Sequence, residues 1–97
     1  MTTEKQIQSK INLINKFLGA NPIPVEHKGG KTKWNVGTYT YEAQGSPCYY
    51  TLVRISNEDG EQTSINATCS RGMSAFYDSL CCFIEGITVA LDTHNHN

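Results

Sequence analysis

"CYYTLVRISNEDGEQTSINATC", residues 48–69, decides the fold. Its first and last nine residues are rich in β-branched and aromatic side chains, which suit a pleated, half-buried surface. Between them, Asn57-Glu58-Asp59-Gly60 combines short polar side chains that bond their own backbone with a glycine free to take a positive φ. The stretch predicts an antiparallel hairpin of strands 48–56 and 61–69. The first carries apolar residues on both faces, as a central strand does. The second alternates Thr63, Ile65, Ala67 and Cys69 onto one face.

Upstream, Gly45-Ser46-Pro47 turns the chain, and "KWNVGTYTYEA" (33–43) reads as another strand. Trp34, Val36, Thr38 and Thr40 share one of its faces, Tyr39 and Tyr41 the other. Pro22 and Pro24 exclude helix and Gly29-Gly30 interrupts a strand, so residues 19–32 are expected to form a loop. Before the loop, Thr3-x-x-Gln6 is a capping box, and Ile7, Ile11, Ile14 and Leu18 recur at helical spacing ahead of Gly19. This predicts an amphipathic helix over 4–18.

Downstream, Ser74 is the expected N-cap of a helix over 74–91 whose apolar row is Phe76, Leu80, Ile84 (or Phe83), Ile87 and Leu91. The polar end, 92–97, is expected to be disordered. The sum is a single α+β domain in the order α-β-β-β-α. A three-stranded antiparallel sheet spans 33–69, with the C-terminal helix on one face. If that helix covers the Trp34 face, Tyr39 and Tyr41 stand on the open one. The stripe on the first helix then finds cover beside the sheet or on a second subunit, which points to a homodimer.

The chain has 97 residues, 38% hydrophobic and 18% charged, as a folded domain does. No uninterrupted apolar run approaches the length that spans a bilayer. The start, "MTTEKQIQSK", lacks the apolar centre of a secretory signal, so a cytoplasmic location with reduced thiols is expected. Net charge is −1, unevenly spread. All six lysines lie in residues 1–33, and seven of the nine acids in 34–97. The balance is not that of a dedicated nucleic-acid binder.

Cys81 and Cys82 point about 100° apart on a helix. Cys81 falls with Tyr77, Ile84 and Thr88 toward the sheet, whereas Cys82 falls with Asp78 and Glu85 on the outer face, placed to touch a partner. With no C-x-x-C, a zinc site lacks its spacing. Glu58, Asp59 and Glu61 lack the spacing of a calcium loop, and His94 and His96 lie in the polar tail. No metal or cofactor is expected, and no catalytic residues. The enzymatic alternative would use Cys82 or Cys69 with His27 as base.

"HKGGKTK" imitates the end of a phosphate-binding loop, but the pattern wants a glycine at Val25, a strand before and a helix after. What remains is His27, Lys28, Lys31 and Lys33 around two glycines, able to meet an anion. The partner-binding candidates are Tyr39 and Tyr41, the acidic tip Glu58, Asp59 and Glu61, and Cys82.

"GTYTYEA", "CYYTLVRISNEDGEQTSI" and "RGMSAFYDSLCCFIEGI" make strand, hairpin and closing helix with almost no linker. In this the chain resembles small phage-encoded accessory proteins, including inhibitors of bacterial defence such as anti-CRISPR proteins. The resemblance implies a non-catalytic oligomeric protein in the host cytoplasm that binds a host protein or sequesters a small nucleotide signal. The expected function is therefore to block or modulate a partner protein. The alternative is a sponge for an anionic cyclic nucleotide held by the lysines.

Overall fold

The computed structural model describes residues 2–95. Two helices lie on one face of a three-stranded antiparallel sheet, and a separate two-stranded hairpin stands beside them. The elements in order are α1 (Glu4–Phe17), β1 (Val25–Lys28), β2 (Lys31–Trp34), β3 (Tyr39–Gln44), β4 (Tyr49–Ile55), β5 (Gln62–Arg71) and α2 (Met73–Asn95). The class is α+β, with five strands in two sheets in place of three in one.

α1 begins at the expected capping box: the Thr3 hydroxyl accepts from the Gln6 amide while the Gln6 side chain accepts from the Thr3 amide. Three of the four residues of its stripe are covered within the chain, while Leu18 is 43% exposed. Ile7, Ile11 and Ile14 are buried with Leu52, Phe76 and Leu80 in one core, so these three find their cover beside the sheet.

β4 is the central strand, in the order β3-β4-β5. The helices cover the tyrosine face and not the Trp34 face. Tyr39 and Tyr41 are half-buried, with their rings 6.2 Å from Phe83 and 5.9 Å from Phe76, and the Phe76 ring stacks on Tyr50 at 5.7 Å. The expectation of open tyrosines fails because α1 and α2 pack side by side over that face. On the opposite face, Val53 and Ile55 are also fully buried.

The alternation expected along 61–69 breaks at a bulge in β5. Leu52 pairs with Ile65 but Tyr50 pairs with Ser70, so residues 66–69 stand opposite Thr51. Buried Thr68 repairs the interrupted ladder: its hydroxyl accepts from the Leu52 amide at 3.0 Å and donates to the Ile65 carbonyl at 2.7 Å. Thr68 and Ser70 are thereby the buried residues of this stretch, while Ala67 and Cys69 are exposed.

The loop expected at 19–32 contains a hairpin. Gly29 and Gly30 have φ of 56° and 76° and form the two-residue turn itself, so the pair joins two strands instead of ending one. The strand expected at 33–43 is split by a turn through Asn35–Gly37, where Gly37 has φ of 94°. α2 starts at Met73, so Ser74 lies in the first turn with its hydroxyl 3.0 Å from that of Thr2. The helix also runs on through residues 92–95, expected to be disordered; residues 96 and 97 lie outside the described ones. Gly45-Ser46-Pro47 does turn the chain, with a cis Ser46–Pro47 bond.

Two elements project from the body. The radius of gyration is 14.3 Å, against about 13 Å for a compact domain of this length, and the principal extents are 44 × 41 × 21 Å. One projection is the β1–β2 hairpin, the other the end of α2.

Candidate interaction surface

The hairpin register sorts its side chains onto two faces. Lys28 pairs with Lys31 and Glu26 with Lys33, so three lysines and one glutamate share a face. His27 and Thr32, whose Nδ1 and hydroxyl lie 3.2 Å apart, share the other with Val25 and Trp34. None of the eight strand residues is buried. The chain thus forms an ordered finger that adds nothing to the core and presents positive charge. An isolated two-stranded hairpin is marginal in water, and here its root is anchored. Asn35 donates to the Ile23 carbonyl at 2.7 Å, its amide donates to Pro24, and buried Thr38 donates to the Asn21 carbonyl at 2.7 Å.

Trp34, at the end of β2, packs its ring onto Gly60 of the acidic turn. Two separately expected clusters thereby meet at one end of the molecule: the lysine finger and the tip bearing Glu58, Asp59 and Glu61, all three exposed. The tip is stiff. Asn57 accepts through its side-chain oxygen from the Asp59 and Glu61 amides and donates to the Glu61 carboxylate at 2.7 Å. Gly60 has φ of 90°, and a Cβ there would enter the Trp34 ring. Gly60→Ala should therefore cost about 1–3 kcal/mol, the strain of an unfavourable backbone region before any shift of the ring. The chain has one tryptophan, so its fluorescence reports the displacement directly. An unchanged emission maximum and melting temperature would show that Trp34 does not hold the tip.

Tyr39 and Tyr41 belong to the core face and are not brought to this surface. Burial, and then the negative charge of Glu4, raise the Tyr41 pKa. The folded state holds the phenolic proton more tightly than the unfolded chain, so stability is full below the ordinary tyrosine range and falls as pH climbs through the raised value.

The cysteines are all free thiols. Cys81 is half-buried and Cys82 exposed, as the helical spacing requires. The Cys48 thiol, which donates to the Tyr49 carbonyl, and then burial raise the pKa of the Tyr50 phenol. Among the described residues no three of His, Cys, Asp and Glu gather as a metal site. The side chains of His94 and His96 lie outside the described ones.

One concavity escaped the sequence reading. An open groove of about 530 Å³ runs between the start of α1 and the first turns of α2, lined by Thr3, Lys5, Gln6, Ser9, Lys10 and Tyr77. The Lys10 ammonium lies 5.5 Å from the centre of the Tyr77 ring. Helical spacing puts Lys5 on the polar side of α1 and Lys10 at the border of its apolar stripe, and only the packing of α2 beside it makes a groove there.

No known protein family, curated protein or solved structure matches the chain.

Proposed function

We propose that this chain is a non-catalytic binding protein that blocks or modulates a partner protein, and that the β1–β2 finger makes the contact. The observation that carries this reading is the finger itself: eight ordered strand residues, none buried, with Lys28, Lys31 and Lys33 on one face. Ordering such an element costs conformational entropy that no core contact offsets. The matching surface on the partner is acidic. The fixed acidic tip at the finger's root sets orientation by repelling misaligned approaches. In the setting that the resemblance implies, the partner is a host protein of a bacterial defence system and the site of action is the host cytoplasm.

The test compares the tagged protein with a Lys28→Glu, Lys31→Glu, Lys33→Glu variant, first verified as folded by circular dichroism, as bait in a bacterial lysate. The unaltered protein is expected to retain a defined partner, less so as salt rises, and the variant to lose it. Equal retention by both would rule out the finger as the contact.

The groove supports a second reading. Lys5 and Lys10 could meet the phosphates of a small nucleotide and Tyr77 its base, which moves the anion site away from His27, Lys28, Lys31 and Lys33. Captured nucleotide would raise the 260 nm absorbance of the purified protein and add a few hundred daltons to its native mass.

A further inference from the structure

We infer that the groove between α1 and α2 takes a nucleoside monophosphate by an exchange: the terminal phosphate draws the Lys10 ammonium off the Tyr77 ring, and the base takes its place. The exchange rests on the nucleotide reading of the groove and names the ligand class for it.

Lys10 is the one lysine of the six that is not exposed. Its ammonium lies 5.5 Å from the centre of the Tyr77 ring, and both residues line the groove. Tyr77 is half-buried and packs against the core, so its ring is held in place. A cation over an aromatic ring at a half-exposed site is a weak contact, and a charge-assisted hydrogen bond to phosphate is a stronger one. An arriving phosphate therefore removes the cover from the ring. What it uncovers is a flat, fixed, apolar surface, on which a base of any kind stacks. Phosphate and base must come in one molecule, because each makes room for the other.

The polar lining of the groove is made of donors. Lys5 and Ser9 are four residues apart on α1, as are Gln6 and Lys10, so the four form one patch of the helix surface. The capping box ties the Gln6 side-chain oxygen to the Thr3 amide at 2.8 Å, which leaves the side-chain nitrogen to donate. Among the described residues no carboxylate lines the groove. Glu4, the neighbour of Lys5, falls on the far side of α1, where its charge acts on Tyr41. Two ammoniums match the charge of about −1.5 to −2 that a terminal phosphate carries at neutral pH, and a phosphodiester carries less. The match favours a monophosphate over a cyclic nucleotide. The groove volume of about 530 Å³ suits a ligand of this size.

Calorimetric titration of the full chain with adenosine 5′-monophosphate, adenosine, inorganic phosphate and the cyclic 3′,5′-monophosphate tests the exchange. The monophosphate should bind at least about tenfold more tightly than each of the others, since it alone offers both the full charge and the ring. In the proton spectrum of the free protein, the ring current of Tyr77 should shift the Lys10 side-chain methylenes upfield, and saturation with the monophosphate should return them. Tyr77→Leu should reduce the advantage of the monophosphate over phosphate to less than about twofold, and Tyr77→Phe should keep it. Lys10→Ala should weaken the monophosphate yet strengthen adenosine, because the ring is then bare. Equal affinity for monophosphate and phosphate, or Lys10 methylenes that keep their shift in the saturated complex, would overturn the exchange and leave a plain anion site. Equal or tighter binding of the cyclic form would overturn the terminal phosphate. Binding of none of the four would remove the nucleotide reading of the groove itself, and the exchange with it.

Discussion

Phe76→Ala lowers the free energy of unfolding by about 3–5 kcal/mol, the usual loss for a fully buried phenylalanine. Phe76 is 0% exposed, and its ring is the one that touches both Tyr41 and Tyr50, so it joins α2 to β3 and β4 at once. These two tyrosine rings flank it on the sheet side, and neighbours held by the sheet ladder do not collapse readily into the vacated space. A domain of this size has about 5–15 kcal/mol in total, so the variant stands near the edge of folding. Urea denaturation followed by circular dichroism measures the loss. A change below about 1 kcal/mol would mean that the α2–sheet contact is not the centre of the core.

Asn15→Leu is expected to be the next most damaging change, although it exchanges a polar residue for an apolar one of similar size at a 1% exposed site. The Asn15 side chain receives a hydrogen bond from the Tyr39 amide at 2.7 Å and donates one to the Tyr39 carbonyl at 3.0 Å. It acts as a strand neighbour for the edge of β3. Leucine leaves both backbone groups buried without partners, at about 1–3 kcal/mol each. Asn15→Ala should be milder, because the smaller side chain admits water to the same groups. Hydrogen exchange at the Tyr39 amide separates this cause from a general loss of packing: it should lose protection in both variants out of proportion to the amides of β4. Equal stability of Asn15→Leu and the unaltered chain would show that the edge has another cover.

The candidate surface was only partly legible. The lysines and acids stood out by type, yet nothing local says that they meet at one end. Their meeting depends on Trp34 resting on Gly60, a contact between residues 26 positions apart. The finger itself was missed although Gly29-Gly30 announces a two-residue turn, because Gly-Gly serves equally as a strand breaker and as a hairpin turn. Which role it takes depends on whether the flanks pair, and "VEHK" and "KTKW" lack the apolar alternation that would have marked them as strands.

By itself the sequence determined the elements whose signals are local: α1 with its capping box, the central hairpin of β4 and β5, the row of α2 that reaches the core, and the class α+β. Each follows from periodicity, cap chemistry or turn chemistry within a few residues. The tertiary structure decided which face of the sheet the helices take, and with it the burial of Tyr39 and Tyr41, because both faces of β4 are apolar and alternation cannot choose between them. It also decided that Asn15 and Thr68 are structural, since their hydroxyl and amide groups matter only beside backbone groups that lack a ladder partner. Finally, it determined where α2 leaves the body, because the length of sheet beneath a helix is a property of the assembled chain.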